Sequence, residues 1–265
     1  KVELDENAEL LIELKDQNSI QAIAATYELE LYKAFEVEDP NNPLFYWYTI
    51  DIPDEYESDL AEIKVALNTL GVSFEENEVI TVAPMPTKKV SKINRKFGIN
   101  DPGLEQMWGF EAMEIDRLYS LLKTTNINPT QKARIAILDT GVDAKHEDLR
   151  TNYVSTSSKY DSDGRGHGTH CAGIAAAVSN NGIGVASFSP NSNFVEVTSI
   201  KVLGSYGIGT QKTIINGMIE AVKTGVDVIS MSLGGYSNDA RQKAYTQAVV
   251  YCNKSGVTVI VAEGN

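Results

Sequence analysis

The chain has 265 residues, of which 42% are hydrophobic and 22% are charged, and its formal net charge is −13. This length predicts one large domain or two smaller ones. No apolar run approaches the roughly 20 residues of a membrane-spanning helix, and no basic-then-apolar leader precedes the first strand pattern. We therefore expect neither a membrane protein nor a signal peptide within this numbering.

The charge is unevenly distributed along the chain. Residues 1–80 carry 20 acidic and 4 basic side chains, whereas residues 81–265 carry 16 acidic and 19 basic ones. Such asymmetry predicts two units. The acidity of the first unit argues against nucleic acid as a partner, because phosphate binding needs clustered lysine and arginine. Cys171 and Cys252 are too few for a disulfide framework and are predicted to be buried free thiols.

Residues 1–80 alternate strand and helix patterns in the order β-α-β-β-α-β. Strands are predicted at 9–14, 29–38, 44–52 and 72–80, and helices at 18–28 and 56–70. This order is that of a small α+β ferredoxin-like sandwich, and it contains no catalytic constellation. Residues 81–99 follow as a basic, proline-containing linker that suits proteolytic processing, although a plain solvated connector fits equally well.

From residue 100 onward, strands alternate with single helices. Strands are predicted at 133–138, 194–202, 226–231 and 257–262, and helices at 110–122, 171–178, 210–224 and 239–254. This alternation predicts an α/β fold, in which a parallel sheet is covered by helices on both faces.

Polar residues follow several of these strands directly. Asp139 ends the first strand, Ser232–Gly234 follow the third, and Asn265 follows the fourth. Because ligands bind beyond the carboxyl ends of parallel strands, we expect these residues to share one rim of the sheet. His167 lies where a glycine-rich turn enters a helix of small residues, and it adds an imidazole to the set.

A carboxylate, an imidazole and a side-chain amide are the parts of an acyl-transfer site that lacks only its nucleophile. Imidazole can take the proton of a hydroxyl, a carboxylate fixes the imidazole tautomer, and an amide stabilises the oxyanion. The residues alone leave alternatives open. Asp139 could be a cap or turn residue, and Asn265 could be a plain loop residue. His167 and His170 cannot be ranked, and they could form a His-x-x-His metal pair, although no third ligand stands out.

Several segments resemble successive motifs of the subtilisin-like serine proteases, in that family's order. They are ILDTGVD at 137–143, HEDL at 146–149, HGTHCAG at 167–173, SMSLGG at 230–235 and GN at 264–265. The resemblance covers roughly residues 100–265 and is strongest to the thermitase-like branch. It implies a subtilisin-like fold and a serine endopeptidase in which Asp139 orients His167, His167 is the general base, His170 is structural and Asn265 is the oxyanion donor.

The resemblance also implies a substrate groove. Ser232, Leu233 and Gly234 would line the primary specificity pocket and pair with the substrate backbone as an added strand, while Gly207 and Gly209 would form the opposite edge.

A calcium site is implied in the same way, built from carboxylate, amide and backbone carbonyl oxygens. Its expected ligands are Asp101, Asp148, Val178, Asn181, Ile183 and Val185. Asp101 could otherwise be only a turn residue before Pro102. The loop 161–164 is a weaker calcium candidate and is better explained as a solvated acidic loop.

The resemblance gives residues 1–80 the role of a propeptide that docks on the catalytic domain, inhibits it and is cut away. Residues 100–265 would be only the N-terminal part of that domain, because the family's nucleophilic serine follows the oxyanion asparagine in a Gly-Thr-Ser-Met-Ala motif that this chain lacks. We expect a secreted zymogen that acts on proteins or peptides, with the rest of the domain on further polypeptide. The alternative is an inactive relative that uses the scaffold for binding. Glu263 lies next to the oxyanion residue where the family usually has a small alanine, and this departure bears on either full activity or the preference of the pocket.

Overall fold

A computed structural model of the chain describes residues 8–82, 97–190, 192–235 and 242–263. Most of the predicted linker, residues 83–96, lies outside these ranges. No helix within the described ranges has the length and apolar character needed to cross a membrane.

The first unit is built on a four-stranded antiparallel sheet. Its strands are β1 (Ala8–Glu13), β2 (Glu30–Lys33), β3 (Trp47–Asp51) and β4 (Ser73–Glu76), in the order β2-β3-β1-β4. Helices α1 (Gln21–Thr26) and α2 (Leu60–Thr69) bury Ile23, Ile63 and Leu67 against Leu10 and Ile12 of β1. The strand order is that of the ferredoxin-like sandwich predicted from the sequence.

The strand predicted at 72–80 is two strands in the structure. The chain turns after β4, and β5 (Val79–Val82) leaves the first sheet. It pairs in antiparallel fashion with β8 (Ile208–Thr210) on one side and with β10 (Leu233–Gly234) on the other. The boundary proposed at residue 80 therefore falls inside a strand that pairs with the second unit.

The second unit is organised on a four-stranded parallel sheet. Its strands are β6 (Ala133–Asp139), β7 (Val195–Lys201), β9 (Val228–Met231) and β11 (Thr258–Val261), in the order β11-β9-β6-β7. Its helices are α3 (Trp108–Ala112), α4 (Ile115–Thr125), α5 (His167–Ala176), α6 (Gln211–Lys223) and α7 (Lys243–Lys254). The single helix expected at 110–122 is interrupted before α4, where Glu114 takes a positive φ of 53°.

Helices cover both faces of this sheet, as the alternation of strands and helices predicts. Leu138 packs with Met218 of α6 and Ala248 of α7, whereas its neighbour Ile137 packs with Ala172 of α5 on the opposite face. Successive strand residues point to opposite faces, and this period of two places apolar side chains in both cores.

The first unit lies against α6 and α7. Leu11 and Trp47 belong to the same buried cluster as the residues of these helices, and the Trp47 indole donates a hydrogen bond to Gln247 at 2.7 Å. Glu75, only 2% exposed, accepts hydrogen bonds from the Ala244 backbone and from the Gln211 amide. The contact with α6 and α7 places the first unit next to β8 and β10, the two strands with which β5 pairs.

Candidate active site

The carboxyl ends of β6, β9 and β11 meet at one rim of the parallel sheet. Ile137 lies opposite Ser230, and Ser230 lies opposite Ile260, so the three strands end at similar height. Asp139 and Ser232 are thereby brought to the same edge. Asn265 lies outside the described residues, and its predicted role as oxyanion donor stays a prediction.

Asp139 and His167 form a buried, hydrogen-bonded pair at this rim. Both carboxylate oxygens of Asp139 lie near His167 Nδ1, at 2.8 and 2.9 Å, and the Thr140 backbone donates to Oδ1 at 2.7 Å. Burial raises the pKa of Asp139, and the hydrogen bonds from His167 and Thr140 act in the opposite direction. His170, which the residues alone could not separate from His167, is exposed.

The glycines around His167 let α5 approach the end of β6. Gly166, which precedes the helix, takes a positive φ of 84° that suits glycine. A Cβ at Gly168 would contact the Gly141 carbonyl oxygen and lie 3.0 Å from the Asp139 Cβ. The glycine at 168 therefore allows the close packing that holds His167 against the carboxylate.

Asp163 belongs to this site, in contrast to the expectation of a solvated acidic loop. Its carboxylate accepts hydrogen bonds from the Thr140 hydroxyl at 2.8 Å, from the Gly166 backbone at 2.8 Å, and from the Thr169 hydroxyl at 2.7 Å and backbone at 2.9 Å. Burial acts to raise the pKa of Asp163, but these bonds outweigh it and the pKa is below its usual value. Asp163 thus joins the end of β6 to the start of α5.

Cys171 lies beside the His167 ring. Its Sγ is 3.8 Å from His167 Nδ1, and the ligand atoms of Asp139, His167 and Cys171 all lie within 4.8 Å of one another. Burial raises the pKa of the Cys171 thiol to about 11, and the Ser232 hydroxyl acts against this shift. The thiol is therefore protonated at neutral pH and is a poor nucleophile. Both cysteines are free, as predicted, but only Cys252 is buried, whereas Cys171 is partly exposed.

The two expected edges of the substrate groove face each other across β5. Thr81 lies opposite Gly234, Val82 lies opposite Leu233, and Ile80 lies opposite Gly209 on the other side. The Val82 backbone also donates a hydrogen bond to the Gly207 carbonyl at 3.1 Å. The structure thus brings Leu233, Gly234, Gly207 and Gly209 together, and the chain's own strand occupies the space between them.

The six residues expected to bind calcium also converge in space. Asp148 Oδ1 accepts a hydrogen bond from the Asn181 amide and Oδ2 accepts one from the Val185 backbone, both at 2.8 Å, and the Val178 backbone donates to the Asp148 carbonyl. Asp101 accepts hydrogen bonds from the backbones of Asn180 and Asn181, and the Ile183 backbone donates to the Asn181 side chain. Burial raises the pKa of Asp148, and the nearby Asp101 charge raises it further.

Besides Asp163, the sequence analysis missed Thr140 at the site and Glu75 at the contact between the two units. Thr140 accepts a hydrogen bond from the Gly168 backbone at 3.1 Å while its hydroxyl donates to Asp163. Its position directly after Asp139 was the available signal, since the residue beside a strand-end carboxylate shares its surroundings. Glu75 carried no local signal, because its partners Gln211 and Ala244 are far away in sequence.

Comparison with known proteins agrees with this geometry. Two similar curated proteins are thermitase from Thermoactinomyces vulgaris, 42% identical over 138 residues, and subtilisin DY from Bacillus licheniformis, 44% identical over 136 residues. Each alignment covers 50% of this chain and 47% of the relative. The chain thus spans about half the length of the curated relatives it matches.

A solved structure extends the likeness to the first unit. The structure of fervidolysin from Fervidobacterium pennivorans, described as a keratinolytic enzyme related to subtilisin, aligns with 98% of this chain and 40% of its own. The TM-score is 0.66 at 21% identity, which shows a shared fold. The subtilase family profile matches residues 130–265, which hold Asp139, His167 and both groove edges. This chain belongs to the subtilase family.

Proposed function

We propose that this chain is the N-terminal part of a serine endopeptidase zymogen that hydrolyses peptide bonds in proteins or peptides. The observation that carries the proposal is the buried Asp139–His167 pair, set beside a groove that binds an extended strand on both edges. The similarity to thermitase and subtilisin DY supports the same reaction.

The chemistry assigns one role to each group. Asp139 contacts Nδ1 of His167, fixes the tautomer that leaves Nε2 to accept a proton, and stabilises the imidazolium once it forms. His167 takes the proton of a serine hydroxyl and returns it to the leaving amine. By resemblance, that serine lies on polypeptide beyond residue 265, and Asn265 donates to the oxyanion.

The first unit acts in this proposal as the enzyme's own inhibitor. Strand β5 pairs with both groove edges in the manner of an extended substrate, and Glu75 anchors the unit to α6 and α7. A substrate cannot enter the groove until this strand leaves. Cleavage within residues 83–96 would release the unit.

A fluorophosphonate label on the full-length protein tests the nucleophile. We expect labelling at a serine beyond residue 265 and loss of labelling in a His167→Ala variant, with folding checked by circular dichroism. A protein that folds and keeps Asp139 and His167 yet takes no label would favour a binding scaffold.

Processing is followed separately by N-terminal sequencing. Release of the first unit from the His167→Ala variant at the normal rate would exclude self-processing.

Calcium is proposed for the loop that wraps Asp148. Asp101 and Asp148 are 4% and 2% exposed and lie close enough for one charge to raise the other's pKa, so a cation would relieve their repulsion. The side-chain and carbonyl atoms expected to bind the ion are all oxygens, as Ca²⁺ prefers. Asp101, Asp148, Asn181 and the carbonyls of Val178, Ile183 and Val185 would hold the ion, and bound Ca²⁺ would stabilise the fold.

Chelation tests the calcium site. We expect EGTA to lower the melting temperature of the wild type and to leave an Asp148→Asn variant unaffected. An Asp161→Asn variant, changed at an acidic residue of a different loop, should respond to EGTA as the wild type does. An unchanged wild-type melt would remove calcium from the proposal.

Secretion is proposed from the same resemblance. Fractionation of cells that express the full-length protein from its own gene would decide it, and recovery from the cell interior alone would contradict secretion.

A further inference from the structure

Two side chains of β5 point into the groove and two point out of it. Ile80 is 4% exposed and Val82 packs on the same buried cluster, whereas Val79 and Thr81 are exposed. Because β5 pairs along both sides, its backbone fixes where each inward side chain sits. A substrate strand in the same register would place its side chains at the same two inward positions.

These two inward positions differ in their surroundings. The Ile80 position is closed and apolar, since a Cβ at Gly235 would already lie 3.0 Å from the Ile80 Cδ1 atom. The Val82 position is open on one side. A Cβ at Gly207 would lie 3.2 and 3.3 Å from the two Val82 methyl carbons and 3.7 Å from Nε of Arg165. The Val82 side chain and the Arg165 guanidinium therefore both lie beside the position that a Cβ of residue 207 would occupy.

Arg165 carries its charge at this position without a partner among the residues that the structure describes. Its side chain is exposed, and no carboxylate of the described ranges pairs with its guanidinium. The neighbouring Asp163 accepts a hydrogen bond from the Arg165 backbone at 3.0 Å, and its other bonds go to Thr140, Gly166 and Thr169. The guanidinium is thus available to a substrate while its backbone is held in place.

We propose that Arg165 selects an acidic side chain at the substrate position that Val82 occupies. The stem of a glutamate would replace the Val82 methyl groups, and its carboxylate would extend two bonds further toward the guanidinium. Arginine pairs well with carboxylates because its planar donors match both oxygens. This inference deepens the proposed peptidase function and rests on it for its kinetic test.

Peptide kinetics with the full-length protein, after release of its first unit, measure this selection. The substrates are succinyl-Ile-Thr-Xaa-Ala-p-nitroanilides, which repeat the sequence of residues 80–83 with Xaa at the position of Val82. Xaa is glutamate, aspartate, glutamine, valine or lysine. We expect kcat/KM for glutamate to exceed that for glutamine by roughly 3- to 5-fold at low salt, the range of a partly exposed ion pair, with lysine lowest. Added salt should narrow the difference.

Variants assign the effect to one side chain. An Arg165→Ala variant should bring the glutamate-to-glutamine ratio close to one, and Arg165→Glu should make lysine the better substrate. Lys254→Ala removes the same charge at the far end of α7 and should leave the ratio unchanged. Cleavage of all peptides with equal kcat/KM would overturn the inference and leave the peptidase function standing. Cleavage of none of them would contradict the peptidase function, and the melting temperatures of the Val82 variants would then decide the role of Arg165.

A second measurement needs no catalysis, because β5 already occupies the groove. We compare the melting temperatures of Val82→Glu and Val82→Lys in the full chain, since both lose the valine contacts. Val82→Glu should melt several degrees higher, and the order should reverse in an Arg165→Glu background. Equal melting temperatures in both backgrounds would contradict the role of Arg165 even if the protein proved catalytically inactive.

Discussion

The carboxylate of Glu75 accepts a hydrogen bond from the backbone of Ala244 at 3.1 Å, although the two residues belong to different units. Ala244 lies in the first turn of α7, where backbone N–H groups have no partner within the helix. The second oxygen of Glu75 accepts from the side-chain Nε2 of Gln211, the first residue of α6. One side chain of the first unit thus caps the start of α7 and binds the side chain of the first residue of α6.

This geometry predicts a large effect of Glu75→Ala. We expect it to destabilise the docked chain by about 1–3 kcal/mol, because it leaves buried donors unpaired. The melting temperature of the full chain measures the change. Glu76→Ala is the matched control, since Glu76 pairs with Lys64 at a partly exposed site and should matter much less. Equal losses in both variants would argue against the helix-capping role of Glu75.

Asp139→Asn tests the pair at the rim. Asparagine keeps the shape but can hold the His167 ring in the wrong tautomer, so we expect kcat of the full-length protein to fall by about 10⁴-fold. Peptide hydrolysis measures the rate. Retention of more than a tenth of the wild-type kcat in a folded variant would show that Asp139 does not orient the base.

Asp163 should make stability depend on pH in a defined direction. Its pKa is lowered from 3.8 in the folded chain, so the carboxylate stabilises the fold above that value, and this contribution is lost as the pH falls through the lowered pKa. We expect the wild type to be more stable than Asp163→Asn at neutral pH, with the difference vanishing in strong acid. Urea titrations across this range measure it.

Asp161→Asn is the control for that titration. Asp161 lies in the same loop but accepts its hydrogen bonds from Tyr153 and Ser155. It should leave the hydrolysis of peptides nearly unchanged, whereas Asp163→Asn should lower kcat because the start of α5 loses its link to β6. A constant stability difference between Asp163→Asn and the wild type at every pH would contradict the assignment.

Two glycines of α5 should respond in opposite ways to alanine. At Gly168 an added methyl would meet the Gly141 carbonyl and lie 3.0 Å from the Asp139 Cβ, so Gly168→Ala should be strongly destabilising. At Gly173 the nearest atom is a Val185 methyl at 4.0 Å, and Gly173→Ala should stabilise the helix by about 0.5–1 kcal/mol. Thermal melts of both variants measure these changes, and equal shifts in melting temperature would contradict the packing described for the two glycines.

The parts of the fold that local patterns determine were predictable from the sequence. The order of strands and helices and the two-faced core follow from hydrophobic periodicity, which residues 10–12 and 137–138 show directly. The division of residues 72–80 into β4 and β5 was not predictable, because the partners of β5 are residues 208–210 and 233–234. Only the assembled second unit offers those edges.

The candidate site was likewise predictable from the sequence only in part. Asp139 and His167 stand in contiguous motifs, so the sequence indicated them, and the structure places them in contact. The role of Asp163 depends on donors from Thr140 and Thr169 that meet only after α5 packs against β6. An acidic residue near a glycine gave no indication of this, which is why it was interpreted as solvated.

The space between β8 and β10 is one strand wide, and this width sets a condition on any polypeptide that replaces β5. The backbone N–H and C=O groups of a helix or a tight turn bond within that element, so they cannot pair with β8 and β10 at the same time. Only a segment that is already straightened, or that can be straightened at small cost, can settle there. The space therefore selects an extended backbone conformation before any side chain is recognised. Segments of rigid, well-folded proteins would not enter it, whereas flexible loops and denatured chains would.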